Sequence, residues 1–127
     1  MFCEAEMKRK TNELTGAALD WAVAVADNLL PKHISLNTDL THPLVLDGIQ
    51  SYGPSFIWSQ GGPIIERERL CTTPRRDYWE ACVHDNLFQY DGSEHHATGP
   101  TPLIAAMRCY VSSKLGDEID VPEELRS

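Results

Sequence analysis

Apolar residues recur at helical spacing from Leu14 onward: Leu14, Ala18, Trp21, Val25 and Leu29 share one stripe, which Ala17 and Ala24 widen. Thr11 or Thr15 can cap its start and Pro31 ends it, so the pattern predicts a helix over 14–29. A second stripe, Leu103, Met107, Tyr110, Val111 and Leu115, follows a cap at Thr101 with Pro102 in the first helical position. Gly116 stops it, which predicts a helix over 102–115. Trp79, Ala81 and Val83 alternate with Tyr78, Glu80, Cys82 and His84, the period of a strand covered on one face. A shorter strand candidate covers Leu70 to Thr72, across a turn at Pro74.

The stretch "WSQGGPIIERER" fits two helical registers. With Ser55 as cap, Ile57, Gly61, Ile64, Ile65 and Glu68 fall on one side and Pro63 interrupts the middle. With Gly62 as cap, Pro63 takes the first helical position and only "IIERER" is helical. Residues 30–55 read as a long connection with a brief strand at "PLVL", and residues 85–100 as a polar one. Residues 1–13 are an edge strand or a lead-in to the first helix, and the ends, 1–10 and 117–127, read as loose. The pattern as a whole predicts one α+β domain over 1–127. Its small antiparallel sheet, with Tyr78 to His84 central, packs against about three helices, at 14–29, 55–69 and 102–115.

Composition narrows the partners. Nineteen acidic against eleven basic residues give a net charge of -8, which argues against general nucleic-acid binding and against anionic membranes. The longest apolar run, "WAVAVA", is far too short to span a bilayer, and "MFCEAEMKRKTNE" lacks the pattern of an export signal. Cys3, Cys71, Cys82 and Cys109 are scattered with no CxxC pair, so free thiols in a reducing compartment are expected.

Candidate chemistry is sparse. His84, His95, His96, Cys82 and Asp85 are metal-ligand types without paired metal-site spacing, so no metal and no cofactor are expected. Cys109 has no nucleophile signature around it, and nothing places Asp20 with Glu66 or Glu68 as an acid–base pair. No strict phosphate-binding motif occurs, but "QGGP" and "TGPTP" each set Gly and Pro at a helix start, where free N–H groups favour an anion. Trp58 could stack on a planar group, with Arg67, Arg69, Arg75, Arg76 or Arg108 supplying charge. Packing is the plain alternative: Gly61 and Gly62 for close approach, Trp58 and Trp21 for the core, and the "ERER" arginines as partners of their neighbouring glutamates.

Three strings, "LTGAALDWAVA", "WSQGGPIIERE" and "GPTPLIAAMRCYVSSKLGDEIDVPEEL", in this order, resemble the NinX-like family of small tailed-phage proteins from about residue 10 to residue 125. That family more usually carries "YSPSTDWAQGGPIIERE", so Phe56 and Ile57 stand here in place of small polar and acidic residues. The resemblance implies a phage accessory protein made in the host cytoplasm, and it implies no reaction. A more distant similarity to a phage α-β-α sandwich domain implies a continuous helix in the middle segment and hence packing for its glycines. Two functions are expected. One is non-enzymatic binding of a small anionic or nucleotide-like ligand, such as a host defence signal, around Trp58, Gln60, Gly61, Gly62, Gly99, Thr101 and Arg108. The other is inhibition or regulation of a host protein through the acidic surface; the oligomeric state stays open.

Overall fold

The computed structural model describes residues 8–27, 34–37, 44–47, 50–83 and 95–121. Strand β1 (Lys8–Lys10) leads through a 3-10 turn (Thr11–Glu13) into helix α1 (Gly16–Ala26). Strands β2 (Ile34–Asn37), β3 (Leu44–Asp47) and β4 (Gln50–Ser51) form an antiparallel meander. Helix α2 (Trp58–Glu68) follows, then strands β5 (Cys71–Pro74), β6 (Trp79–Val83) and β7 (His95–Gly99), helix α3 (Pro102–Leu115) and strand β8 (Glu118–Asp120). The expected α+β architecture is present, with three helices and β6 central in the antiparallel β5-β6-β7 sheet.

Helix α3 is the centre of the molecule. Leu103 and every residue from Ala105 to Ser112 are buried, so this helix has no solvent face along its middle. It meets β5, β6 and β7, where Ala81 and Ala97 present small side chains, and it also meets α1 and α2. Thr101 caps it as expected, its Oγ1 accepting the Ile104 N–H at 3.1 Å, and Gly116 closes it at φ 94°. Gly99 is the close-approach point at the end of β7: a Cβ there would lie 2.9 Å from the Ala105 nitrogen.

Several expectations change. Helix α1 is shorter than 14–29 among the described residues, and its deepest face is Leu19, Asp20, Ala22, Val23 and Ala24. Trp21 is only half-buried at the edge of the core, as are Ala17 and Ala18. The apolar stripe misidentified the inner face because a buried acid, Asp20, interrupts the true one. The long connection holds two further strands, β2 and β4, besides the one near "PLVL", and the polar segment 85–100 ends in β7. The expected loose ends are tied at Lys8–Lys10 and Glu118–Asp120, which pair antiparallel with Lys8 opposite Asp120 and Lys10 opposite Glu118. Backbone pairing across a two-stranded ribbon ties ends that composition alone makes look free.

Of the two registers for α2, the continuous one through Pro63 is observed, but it begins later than a Ser55 cap would start it. The cap position is Ile57, which offers no side-chain bond, yet Gly61 and Ile64 are buried as the Ser55-capped register places them. The two glycines then separate. A Cβ on Gly61 would sit 2.3 Å from the Pro54 carbonyl oxygen and 2.6 Å from Leu103 Cδ2, whereas one on Gly62 would meet nothing within 4 Å. Gly61 lets α2 rest on the preceding loop and on α3; Gly62 has no packing duty.

The charged end of α2 ties three helices together. Arg67 Nη2 donates to Asp27 Oδ1 at 2.8 Å and to the Tyr110 hydroxyl at 3.1 Å, and Tyr110 in turn donates to Asp27. Arg67 Nε also donates to Glu68 at 2.8 Å, and Lys114 reaches the other Glu68 oxygen at 3.6 Å. The neighbouring-glutamate reading of "ERER" therefore covers one of the three Arg67 contacts. Burial first, and then the bond to Asp27, push the Tyr110 phenol up, so it stays a donor.

Two predictions follow from this packing. Gly61→Ala should destabilise by about 1–3 kcal/mol, the cost of overpacking, while Gly62→Ala should stabilise by about 0.5–1 kcal/mol through helix propensity; urea unfolding of the two variants checks the opposite signs. Arg67→Met should cost about 1 kcal/mol, because its exposed head group limits what the network is worth, with Asp27→Asn adding little in the double variant.

Candidate functional site

The loop between β4 and α2 presents the candidate site. The N–H groups of Phe56 and Ile57 both donate to the Gly53 carbonyl, at 3.0 and 2.7 Å, and the Gly53 N–H donates to Gln60 Oε1 at 2.6 Å. From the other side Asp20 Oδ1 accepts the Ser55 N–H at 2.9 Å. With no side-chain cap on α2, these two side chains hold the loop. The result is that Phe56 and Trp58 project outward, 63% and 58% exposed. They flank a cleft of about 370 Å³ whose lining includes Ser55, Thr101, Pro102, Leu103 and Ile104.

The cleft floor is the first turn of α3. Thr101 already serves the Ile104 N–H, and Pro102 brings no N–H. The Leu103 N–H, in the second helical position, has no acceptor within the helix and is the donor this end can offer a ligand. No Lys, Arg or His lines the cleft among the described residues.

The seven expected site residues are thereby divided. Trp58 and Thr101 come together in the cleft. Gln60 turns back to Gly53, Gly61 and Gly99 are close-packing points, and Gly62 stands open on the α2 surface. Arg108 is buried, only 8% exposed; its Nε donates to the Leu14 carbonyl at 2.8 Å and its Nη1 to the Thr98 carbonyl at 2.7 Å. Burial holds this guanidinium below its ordinary range, with Glu13 opposing the shift. Its donors serve the backbone ahead of α1 and the β7 strand.

A larger cleft, of about 620 Å³, lies at the β1–β8 ribbon, lined by Lys10, Thr11, Asn12, His96, Ser112, Asp117 and Glu118 among others. Asn12 fixes one side of it, accepting the Thr98 N–H at 2.9 Å and donating to the Thr98 hydroxyl at 3.3 Å. Sequence reasoning missed this cleft because its walls come from three distant segments with no shared motif.

The remaining chemical candidates resolve simply. Among the described residues no group of three His, Cys, Asp or Glu side chains could hold a metal ion; His84 and Asp85 lie outside them. Burial pushes the Cys109 thiol up to about 12, the wrong direction for a nucleophile. Asp20 faces Ser55, while Glu68 faces Arg67 and Lys114, so they do not form an acid–base pair.

A family model described as Bacteriophage P22, NinX matches residues 10–114. The chain belongs to the NinX family. No curated protein matches it. Among the described residues no helix is long and apolar enough to cross a membrane. The matched span contains the loop, both sides of the aromatic cleft, Asp20 and Arg108, so the site described above belongs to the family region of this NinX chain.

Asp20 gives the site a measurable signature. Burial raises its carboxyl from the ordinary 3.8 to about 6, with the bonds to Ser55 opposing the shift. A raised acid is protonated more readily in the folded state, so its contribution is fully present below about pH 4 and is lost as pH rises through about 6. Against Asp20→Asn, which keeps an acceptor for Ser55, the wild type should lose on the order of 3 kcal/mol between these limits. Urea midpoints of both proteins from pH 4 to 7 test this; parallel curves would exclude it. Glu68 and Glu80, both held low by their arginine partners, act in the opposite sense and cancel in the difference.

Proposed function

We propose that this protein is a non-enzymatic phage accessory protein, working in the host cytoplasm, whose binding site is the cleft between Phe56, Trp58 and the start of α3. The observation that carries this reading is the pair of large aromatics held more than half exposed by a loop that Asp20 and Gln60 fix in place. A rigid loop that keeps apolar surface in water is more economically explained by contact than by folding.

The occupant that best suits the cleft is a small nucleotide-like ligand. Its planar base would stack on Trp58, and an anionic group would face the Leu103 N–H and the positive end of the α3 dipole. Because Arg108 serves backbone carbonyls and no Lys, Arg or His lines the cleft among the described residues, stacking rather than charge would supply most of the affinity. Sequestering a host defence signal fits such a site in a phage protein.

A second reading has its own support. Phe56 and Trp58 expose more surface than a small cleft needs, and aromatic anchors of this kind are enriched where proteins meet. With a net charge of -8 the chain would then suit a basic surface on a host protein.

Thermal-shift titration with a panel of nucleoside mono-, di- and cyclic phosphates separates these. A ligand present at a hundred times its dissociation constant stabilises by about 2.7 kcal/mol. The small-ligand reading expects such a shift in the wild type and its loss in Trp58→Ala, which should otherwise melt normally because the side chain is exposed. No shift with any member, together with a stoichiometric host protein captured by the wild type, released by salt and not captured by Trp58→Ala, would establish the second reading instead.

A further inference from the structure

The face of the β5-β6-β7 sheet turned away from α3 carries a pair of thiols that the binding reading does not use. Ala81 and Ala97 are buried toward the core, so the alternate residues on β6, Glu80 and Cys82, point to the other face. In the β5–β6 ladder Cys71 stands directly opposite Cys82, so both side chains leave the sheet on that same outer face. Cys71 is exposed, Cys82 is half-buried, and neither is in a disulfide.

The two positions are directly paired across the strands. The Arg75 N–H donates to the Tyr78 carbonyl at the hairpin end, and stepping back along the ladder by twos from that hydrogen-bonded pair reaches Thr73 with Glu80 and then Cys71 with Cys82. Such pairs hold their Cα atoms about 5.5 Å apart, inside the roughly 4.4–6.8 Å that a disulfide spans, but their Cβ atoms near the upper end of about 4.5–5.5 Å, wider than a relaxed disulfide's, so closing the bond would draw the two strands together at this pair. Cys109 provides the contrast. It lies buried on α3, with its thiol pushed up to about 12, and has no solvent path for an oxidant.

We propose that Cys71 and Cys82 are a redox-sensitive modification site, closing reversibly to a disulfide across β5 and β6 when the protein meets a peroxide. The chemistry balances with hydrogen peroxide as the oxidant. The exposed Cys71 sulfur, as thiolate, attacks one peroxide oxygen and breaks the O–O bond; the other oxygen leaves as water, and Cys71 becomes a sulfenic acid. The Cys82 sulfur attacks the Cys71 sulfur, the S–S bond forms, the S–O bond breaks, and the hydroxyl leaves as a second water with the Cys82 proton. Two thiols give up two electrons in total, and one peroxide is reduced to two waters. A dithiol reductant returns the pair by exchange.

The bond would join the strand that follows α2 to the centre of the sheet. Oxidation would thus fasten the hairpin whose first strand begins three residues after Glu68, next to the three-helix ion network.

The test uses the full chain, treated with a slight excess of hydrogen peroxide, alkylated with N-ethylmaleimide and digested for mass spectrometry. The expected result is a Cys71–Cys82 linked peptide, loss of two alkylatable thiols, and full recovery of both after dithiothreitol. Cys71→Ser and Cys82→Ser should each abolish the linked peptide, while Cys109→Ser should leave it unchanged. Separate sulfinic acids on Cys71 and Cys82, a bond to Cys3 or Cys109, or a dimer bridged between chains in place of the internal bond would overturn the proposal. The wild-type peptide map decides the matter even where a serine variant does not fold.

Discussion

A helix with no solvent face imposes the architecture. Along α3 the stretch from Ala105 to Ser112 is buried without interruption, so the rest of the chain must supply a surface in every direction around it. The sheet does so with Ala81 and Ala97, and α1 with Leu19, Ala22, Val23 and Ala24. One member of that stretch is Arg108, and a guanidinium in a core is tolerable only when its donors are met. The Leu14 and Thr98 carbonyls accept from two of its nitrogens, Nε and Nη1, and in doing so they join the segment ahead of α1 to the β7 strand. The same bonds hold the Arg108 head group on the backbone: swinging out to an anion would leave the buried Leu14 carbonyl and the half-buried Thr98 carbonyl without this partner.

Helix α2 is a weaker element that borrows its stability. It carries two glycines and an internal proline, has Ile57 in its cap position, and on intrinsic propensity alone would be marginal. Pro63 has no N–H for the Ser59 carbonyl. The compensation comes from its neighbours. Gln60 and Asp20 hold the loop before it, Gly61 seats it on Pro54 and Leu103, and Arg67 fastens its far end to Asp27 and Tyr110. Arg69 ends it in a left-handed conformation at φ 56°.

Local rules read the independent elements well and failed where a partner decided. The cap, first-turn proline and terminal glycine of α3 are local signals, and they placed that helix at its observed limits. The alternation along β6 is equally local, and its Ala81 face is the buried one. By contrast the inner face of α1 was hidden by Asp20, whose burial makes sense only once Ser55, thirty-five positions away, is beside it. The cap of α2 could not be read because no residue at its start performs it. For the candidate site, Trp58 and Thr101 were legible because an aromatic and a capped helix start are features of single positions. Phe56, the residues of the ribbon cleft, and the structural duty of Arg108 were not, since each depends on a contact between distant segments.

Asp20 links stability to the presentation of the aromatic cleft. Its burial raises its carboxyl to about 6, so near neutral pH the fold keeps a charge in a place that resists one, and an amide of the same shape would avoid that cost. A carboxylate earns such a position by being the stronger acceptor for the Ser55 N–H, since charge-assisted bonds are about twice as strong as neutral ones. Ser55 lies next to Phe56 and three residues before Trp58, and α2 has no cap of its own to hold that segment. The bond therefore fixes the part of the chain that keeps two aromatic rings in water. Stability is thus given up at one buried group where an exposed apolar segment is held in place. On the binding reading, then, Asp20 is a positioning residue: it touches no ligand, yet it sets how firmly Phe56 and Trp58 are held before one arrives.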